Sequence, residues 1–256
     1  MTSAASLMAQ KVIASCALDD PAQVTIDDLI VYYNGWVQEK PLHACDGRTV
    51  MKNGRAIVSV DSSIAYPRKR RFVLAHELGH MLLHPGKEAS FQDDYSTLEA
   101  YKKGPQEVEA NDFAASLLMP EDLFKKACFK NKFSPTLIAT LAEKFNTTLT
   151  ATAYRFVTHG SHPICVFYSK EGVLQYWKKS DDFRFFIPDT TKLAVPSDSV
   201  ANEYYTHGRI YSGVNAIQTI TQSTWFAINA YESDQKMYEY CIITPNYSTV
   251  LSVVWA

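Results

Sequence analysis

The sequence predicts an α+β protein with two domains, and three observations lead to that prediction. Residues 1–159 carry a series of helical patterns, interrupted by one short β-rich hairpin. Beyond residue 160 the texture changes, because aromatic and β-branched runs replace the helical patterns. The chain has 256 residues, enough for two modest domains with a core each. We therefore expect a first domain over 1–159, with a helical extension at about 120–159, and a β-rich domain over 160–256.

Composition and charge exclude several classes of protein. The formal net charge is −2, so no global charge draws the chain to nucleic acid or to a membrane surface. No apolar run reaches the roughly 20 residues that a membrane span needs, and no basic segment precedes an apolar core at the N-terminus. The five cysteines are scattered without a C-x-x-C pair, which indicates reduced thiols. We expect a cytoplasmic protein without a membrane anchor.

The elements of the first domain follow from periodicity and from proline and glycine punctuation. Residues 1–35 are predicted to be helical, and the β-rich runs around Asn53-Gly54 predict a tight hairpin. Prolines at both ends delimit a helix between Pro67 and Pro85. The polar stretch 86–106 is expected to be a loop with a short helical piece. A further helix follows, with one apolar stripe at helical spacing: Ala110, Phe113, Ala114 and Leu117.

The remaining elements divide into helices before residue 160 and strands after it. Three helices are predicted over 121–129, 136–145 and 148–156, the last two with the outline of a helix-turn-helix. Aromatic and β-branched content predicts strands within 164–177, 224–232, 237–244 and 250–255. The segment 200–213 between them is expected to be a helix or an excursion from the sheet.

The segment HELGHMLLHP carries the chemistry of the first domain. His76 and His80 lie one helical turn apart and only about 40° out of register, so both rings project to one side and can meet one metal ion. Glu77 lies beside them and is placed to act as general base toward a water molecule. Gly79 costs a helix about 1 kcal/mol relative to alanine, a cost that close approach of another segment would explain.

Two histidines leave a ligand of the metal unassigned. The helix with the stripe offers Glu107 and Glu109, which flank the stripe on opposite sides, and helical geometry does not choose between them. Asp112 is a further possibility for the metal ligand, although it is better explained as a surface residue or as a hydrogen-bond partner for a histidine. His84, one turn beyond His80, either lines a substrate groove or caps the end of the helix.

HELGHMLLHP, followed 29 residues after His80 by EANDFAASLLMP, closely resembles the two motifs of the ImmA/IrrE family of metallopeptidases. The resemblance covers roughly residues 45–157. It implies a zincin-like peptidase domain that holds one Zn²⁺ ion, with His76, His80 and Glu109 as ligands. It also implies that Glu77 is the catalytic general base. Cys45 could in principle reach the zinc, although a structural thiol is the simpler interpretation.

The resemblance also implies a biological role. Enzymes of this family cut helix-turn-helix repressors, which releases a stress, DNA-damage or anti-phage operon. The β-rich half resembles the GAF-like sensor domain of some family members, and single-stranded DNA is a candidate activator. Residues 176–186 interleave bases and aromatics, as a stacking groove would. However, residues 160–256 hold seven Lys or Arg against nine Asp or Glu, so no broad basic face is expected.

Two structural hypotheses accompany these assignments. Residues 55–61 are a candidate edge strand along which an extended peptide substrate could add itself to the sheet. The helix-turn-helix-like segment 137–156 leaves a DNA-binding transcriptional regulator as the alternative function. Its second helix has a single basic residue, Arg155, whereas phosphate contacts usually need several.

Overall fold

The computed structural model of the chain describes residues 3–43, 45–84, 91–92, 104–188, 192–229 and 231–256. The chain divides into two compact units, residues 1–124 with 141–148 and residues 125–140 with 149–256. Residues 125–140 thus belong to the second unit and residues 141–148 to the first. The polar stretch 86–106, predicted to be a loop with a helical piece, lies mostly outside the described residues.

The helices before residue 124 match the predictions from periodicity. They are α1 (Ala4–Ser15), α2 (Ile26–Tyr32), α3 (Pro67–Leu83) and α4 (Pro105–Leu118), with a single 3₁₀ turn at Pro21–Gln23. α3 packs on α4, and α1 packs on the same α4 helix. All four residues of the predicted stripe on α4 are buried: Ala110, Phe113, Ala114 and Leu117. The apolar stripe therefore forms the centre of the first unit, as the period of the sequence indicated.

The first unit also contains a small mixed sheet. Its strands are β1 (Gly35–Lys40), β2 (Gly47–Lys52), β3 (Arg55–Asp61) and β4 (Phe91–Gln92), in the order β1-β3-β2-β4. β2 and β3 form the predicted hairpin, whose turn residues Asn53 and Gly54 have φ angles of 51° and 71°. β1 pairs with β3 in parallel, and β4 pairs with β2 at two positions. The prediction of an edge strand at 55–61 is therefore wrong, because β1 covers the open side of the hairpin.

The basic run at the start of α3 anchors this helix within the first unit. Lys69 pairs with Asp46 at 2.7 Å, and Arg70 pairs with Asp27 at 2.8 Å. Arg71 is buried and donates to the backbone carbonyls of Phe145 at 3.1 Å, of Asn146 at 3.2 Å, and of Pro21. Burial lowers the pKa of Arg71 to about 10, so the guanidinium remains charged at neutral pH.

A run of helices follows α4, as predicted: α5 (Glu121–Cys128), α6 (Pro135–Lys144) and α7 (Leu149–His159). α6 and α7 are joined by a short turn in which Asn146 has a φ of 50°. Arg155, the one base of the would-be recognition helix, is only 6% exposed. Its neighbours Thr152, Ala153, Phe156 and Val157 on α7 are buried as well. One side of this helix is therefore buried in a core, and Arg155 is not available to a DNA phosphate.

The second unit is built on a five-stranded antiparallel sheet in the order β6-β5-β9-β8-β7. Its strands are β5 (Cys165–Lys170), β6 (Val173–Lys179), β7 (Gln218–Thr221), β8 (Lys236–Thr244) and β9 (Thr249–Trp255). The helix α8 (Val200–His207) confirms the helical alternative for the segment after residue 200. One face of the sheet carries an aromatic core that includes Phe167, Phe183, Trp225 and Phe226.

The strand predicted within 224–232 is wrong. The structure instead has the short helix α9 (Gln222–Trp225), preceded by the strand β7. Trp225 and Phe226 are 3% exposed, and the ring of Trp225 stacks on Phe167 with centroids 4.2 Å apart. Their aromatic character reflects burial in the core of the second unit, whereas the sequence prediction attributes it to β-propensity. The other three predicted strand regions are confirmed.

The side chains of residues 176–186, expected to form a stacking groove, are divided between the core and the surface. Phe183 and Phe185 are buried, and Lys179 donates to their backbone carbonyls at 3.0 and 3.2 Å. The hydroxyl of Tyr176 accepts a hydrogen bond from the hydroxyl of Tyr154 at 2.7 Å. Two rings and one lysine that the stacking hypothesis needs are thus used by the fold, whereas Trp177 and Phe186 are exposed, at 37% and 71%. No helix among the described residues is long and apolar enough to span a bilayer.

Candidate metal centre

The helix α3 positions the three residues of the first motif. Pro67 occupies its first turn, where the missing N–H costs nothing, and the helix ends at Leu83 with His84 as C-cap. His76, Glu77 and His80 are fully buried, although all three are polar. Polar side chains are rarely buried in this number on one helix face without a function or a dense network of partners.

Gly79 lets the two helices of the site come close together. A Cβ atom at this position would lie 3.1 Å from Cδ1 of Phe113, and 3.2 Å from both the Cα and the carbonyl oxygen of Ala110. These distances are tighter than ordinary contacts, and Ala110 offers backbone that cannot move cheaply. The absence of a side chain at Gly79 thus brings α4 against α3 beside the two histidines, which confirms the reason inferred for this glycine.

The close approach of α3 and α4 brings three ligand groups together. The Nε2 atoms of His76 and His80 are 2.9 Å apart. Glu107 places Oε2 at 3.3 Å from Nε2 of His76 and Oε1 at 3.4 Å from Nε2 of His80. All three ligand atoms lie within 4.8 Å of one another, and all three residues are buried. Two imidazole nitrogens and one carboxylate therefore face a common point.

The structure brings Glu107, and not Glu109, to the histidines. The side chain of Glu109 is 50% exposed, and its Oε2 lies 3.6 Å from Nε2 of His84. His84 also lies 3.4 Å from the carbonyl oxygen of Gln106. Glu107 thus takes the place beside His76 and His80 that the resemblance implies for Glu109, because α3 packs on the flank of α4 that Glu107 occupies. No signal in the sequence states which flank α3 takes.

Asn111 is a site residue that the sequence reasoning missed. Its Oδ1 lies 2.8 Å from Nδ1 of His76. An amide oxygen can only accept, so Nδ1 of His76 carries the proton and Nε2 directs its lone pair at the common point. Asp112, the residue considered for such a partnership, instead accepts a hydrogen bond from Ser3. The spacing offered one clue, since Asn111 lies one helical turn after Glu107.

The surroundings also keep His80 in its neutral form. Burial lowers the pKa of His80 to about 4, and this effect outweighs the opposing influence of the Glu107 carboxylate. A neutral imidazole offers a lone pair, which a metal ligand needs. Cys45 is buried, but the three-residue group found among the described residues contains no cysteine.

Two residues of strand β2 lie against the carboxylate of Glu77. The hydroxyl of Thr49 donates to Oε2 of Glu77 at 2.5 Å. Two residues earlier on the same face of the strand, a Cβ atom at Gly47 would lie 2.4 Å from Oε1 of Glu77 and 2.7 Å from a methyl group of Val73. Glycine is therefore the residue that leaves room for the carboxylate. The sequence reasoning identified Glu77 but neither of these two supports.

The comparison with known families identifies this part of the chain. A model of a peptidase family, described as the IrrE N-terminal-like domain, matches residues 33–157. These residues belong to the ImmA/IrrE-like family. The matched residues include α3, α4 and the hairpin, so the IrrE-like domain contains the whole histidine–glutamate group. The family resemblance inferred from the two motifs is confirmed.

Two known proteins add to this picture. A protein of Bacillus phage phi105 named "Uncharacterized immunity region protein 2" is 43% identical over 53 residues, which are 21% of this chain and 32% of the phage protein. The match thus spans about a third of that relative. A solved structure titled "Mycobacterium tuberculosis transcriptional regulator" has a TM-score of 0.63 and 12% identity, covering 98% of this chain and 75% of that one. At this identity the likeness shows a shared fold alone.

Proposed function

We propose that this protein is a zinc-dependent endopeptidase that cleaves a helix-turn-helix transcriptional repressor and thereby releases a silenced stress, DNA-damage or anti-phage operon. The observation that carries the proposal is the buried group of His76, His80 and Glu107, with Glu77 beside it on the same helix. A peptidase family match over the same residues supports it.

The donor set suits zinc. Two histidine nitrogens and one glutamate oxygen form a ligand set of catalytic zinc sites, which keep a fourth position for water or substrate. Nε2 of His76 is oriented by Asn111, and His80 is neutral, so both nitrogens present lone pairs. A Zn²⁺ ion bound there would polarise a substrate carbonyl and lower the pKa of a water molecule to about 7.

The remaining steps belong to the side chains of the protein. Glu77 accepts a proton from the attacking water and delivers it to the leaving amine, as a general base that becomes a general acid. Thr49 donates a hydrogen bond to the Glu77 carboxylate, and the absence of a side chain at Gly47 leaves room for it. Asn111 fixes the ring of His76, so the ligand does not have to be ordered when the ion binds.

The substrate class and the regulation rest on the family and on the phage relative. The name of that relative places it in a phage immunity region, which agrees with control of a repressor. The candidate metal group lies wholly in the first unit. We therefore assign the second unit a regulatory role, like that of a GAF sensor domain. Activation by single-stranded DNA draws no support from Phe183, Phe185 and Lys179 of residues 176–186, because these side chains serve the fold.

The alternative function, a DNA-binding regulator, is not favoured by its own segment. Arg155 is buried on α7, and the other inward residues of this helix are apolar or small. Phosphate contacts supply most of the affinity of DNA-binding proteins, and a helix without an available base supplies little of it. A specific observation in favour of this function would be repression by a Glu77→Gln variant that has lost all cleavage.

Co-expression tests the proposed activity. The full chain is produced together with helix-turn-helix repressors from the same genomic neighbourhood, with and without DNA damage, and cleavage is mapped by mass spectrometry. We expect one cut in one repressor, abolished by a chelator and restored by Zn²⁺. Intact repressors under every condition, from a protein shown to contain zinc, would refute the function.

Zinc affinity tests the ligand set independently of any substrate. We expect Glu107→Gln to weaken zinc binding by at least about a hundredfold, because it removes a charged ligand. Glu109→Gln, two residues away and half exposed, is the matched control and should change the affinity less than about threefold. Competition with a chromophoric chelator measures both, and equal losses would contradict the assignment to Glu107.

A further inference from the structure

One face of the sheet in the first unit carries an exposed apolar row. Trp36 on β1 pairs in register with Ile57 on β3, and Ile57 pairs in register with Val50 on β2. Their exposed fractions are 68%, 47% and 41%. Single exposed apolar residues are ordinary, but three that adjoin across three strands form a continuous row.

The row lies on the face opposite to the candidate metal centre. Thr49 donates to Glu77, so its side chain points toward α3. Side chains alternate along a strand, and Val50 therefore points the other way, together with Ile57 and Trp36. The sheet thus uses one face to hold the catalytic glutamate, while the other face has no such role in the chemistry.

The charge around the row has one sign. On the same face, Lys52 and Arg55 pair in register at the hairpin end, and Arg48 and Lys40 lie beyond the row on the other side. Asp61 is the one acid at the alternating positions of β1, β2 and β3 on this face. It is 6% exposed and accepts a hydrogen bond from Ser63 at 2.7 Å. At these strand positions Lys40, Lys52 and Arg55 are exposed bases, Arg48 is half-buried, and no exposed acid lies among the residues described there.

We propose that this face is a docking site for an amphipathic helical segment of a partner protein, with apolar anchors and acidic flanks. Adjacent strands are about 4.8 Å apart, so the row of three side chains is about 10 Å long. Helix anchors at i, i+4 and i+7 span about 10.5 Å, which matches the row. The acidic flank faces Lys52 and Arg55, and the exposed Trp36 supplies the kind of anchor on which binding energy concentrates.

Two other occupants fit less well. Single strands of nucleic acid bind to sheets that present several aromatic rings for stacking, whereas this row has one ring and two branched aliphatic side chains. A second copy of this chain would have to offer an acidic apolar segment of its own. The proposal goes beyond the peptidase activity, because it concerns binding alone and holds whether or not the partner is cleaved.

Peptide selection on the full-length protein tests the proposal. A displayed library of random 16-residue peptides is selected on the Glu77→Gln protein, loaded with zinc, so that binding is measured without cleavage. We expect enriched peptides with net negative charge and apolar residues at helical spacing. Trp36→Ser should weaken their binding at least tenfold, and Lys52→Glu with Arg55→Glu should weaken it further at low salt.

Matched controls make each outcome decisive. Phe186 is also exposed, at 71%, but it lies in the second unit, so Phe186→Ser should leave binding unchanged. Thermal unfolding checks that the variants are folded. Absence of enrichment, peptides that are neutral or basic, or equal binding to the Trp36 variant would overturn the proposal. So would Trp36-dependent binding of a twenty-residue oligo-dT, or Trp36-dependent dimerisation in light scattering, in place of peptide binding.

Discussion

Glu77 in the first unit and Glu239 in the second are both fully buried carboxylates, but their surroundings differ. Around Glu239, five donors converge on the two oxygens, and two of them are backbone N–H groups at the start of α8. They are Val200 N, Ala201 N, Trp225 Nε1, Ser252 Oγ and Cys241 Sγ, at distances of 2.7–3.4 Å. Glu77 instead accepts from Thr49 and lies beside a strand that is kept clear at Gly47.

The difference separates a structural glutamate from a candidate catalytic one. A carboxylate that ties a helix, a tryptophan and two strands together is fixed by its partners, and it has no capacity left for a reaction. The Glu77 carboxylate accepts from the hydroxyl of Thr49 and lies on the same helix as two histidines, where it is placed to take up a proton. Burial alone therefore does not identify function in this protein, whereas the groups that surround each carboxylate do.

The largest expected effect separates the two glutamates by activity. Glu77→Gln should lower the cleavage rate by about 10²–10⁴-fold, because the amide cannot accept the proton of the attacking water. Zinc content and melting temperature should stay close to those of the wild type. Glu239→Gln, the matched control, should retain the wild-type rate per folded molecule. Comparable losses of activity in both variants would remove the distinction drawn between them.

A smaller effect separates them by stability. Glu239→Gln should lower the free energy of unfolding by about 1–3 kcal/mol near pH 5, because its amide hydrogens would face donors. Burial raises the pKa of Glu239 above 4.5, so protonation favours the folded state. That stability is present below pH 4.5 and is lost as the pH rises through the raised value. Urea denaturation of both proteins should therefore show their difference shrinking with rising pH; a difference that grows would contradict it.

The smallest effect concerns the hydroxyl group that holds Glu77. Thr49→Val keeps the shape of the side chain but removes its hydrogen bond, and we expect kcat to fall about tenfold with little change in KM. The pH profile of kcat/KM should shift as well, because a donor to the ionised form of Glu77 is lost. Thr49→Ser should restore both. A rate unchanged in the valine variant would show that β2 does not position the base.

The sequence predicts those features best that depend on local chemistry and on the periodicity of a single segment. The histidines, Glu77, Gly79 and the Asn53-Gly54 hairpin were all identified, since each depends on neighbours within a few residues. The stripe on α4 was found for the same reason. Local order is dictated by the helical period and by turn chemistry, and both can be read from one segment at a time.

The failures all depend on neighbours that are distant in sequence. Glu107 and Glu109 lie on opposite flanks of the same stripe, and only the position of α3 decides which of them meets the histidines. The strand at 55–61 was placed at an edge because nothing in its own residues shows that β1 pairs beside it in parallel. Trp225 and Phe226 were assigned to a strand because buried aromatics look alike in a helix, a strand or a loop.

Arg71 has a consequence for the order in which this protein can be completed during synthesis. Its guanidinium joins the carbonyl of Pro21 to those of Phe145 and Asn146, segments that leave the ribosome far apart in time. The guanidinium of Arg71 therefore lacks the carbonyl acceptors of Phe145 and Asn146 until the turn after α6 has emerged from the ribosome. By then residues 125–140 of the second unit have already been made. The nascent IrrE-like domain should thus remain unfinished, and its chemistry unavailable, until translation has passed well beyond its metal-binding motifs.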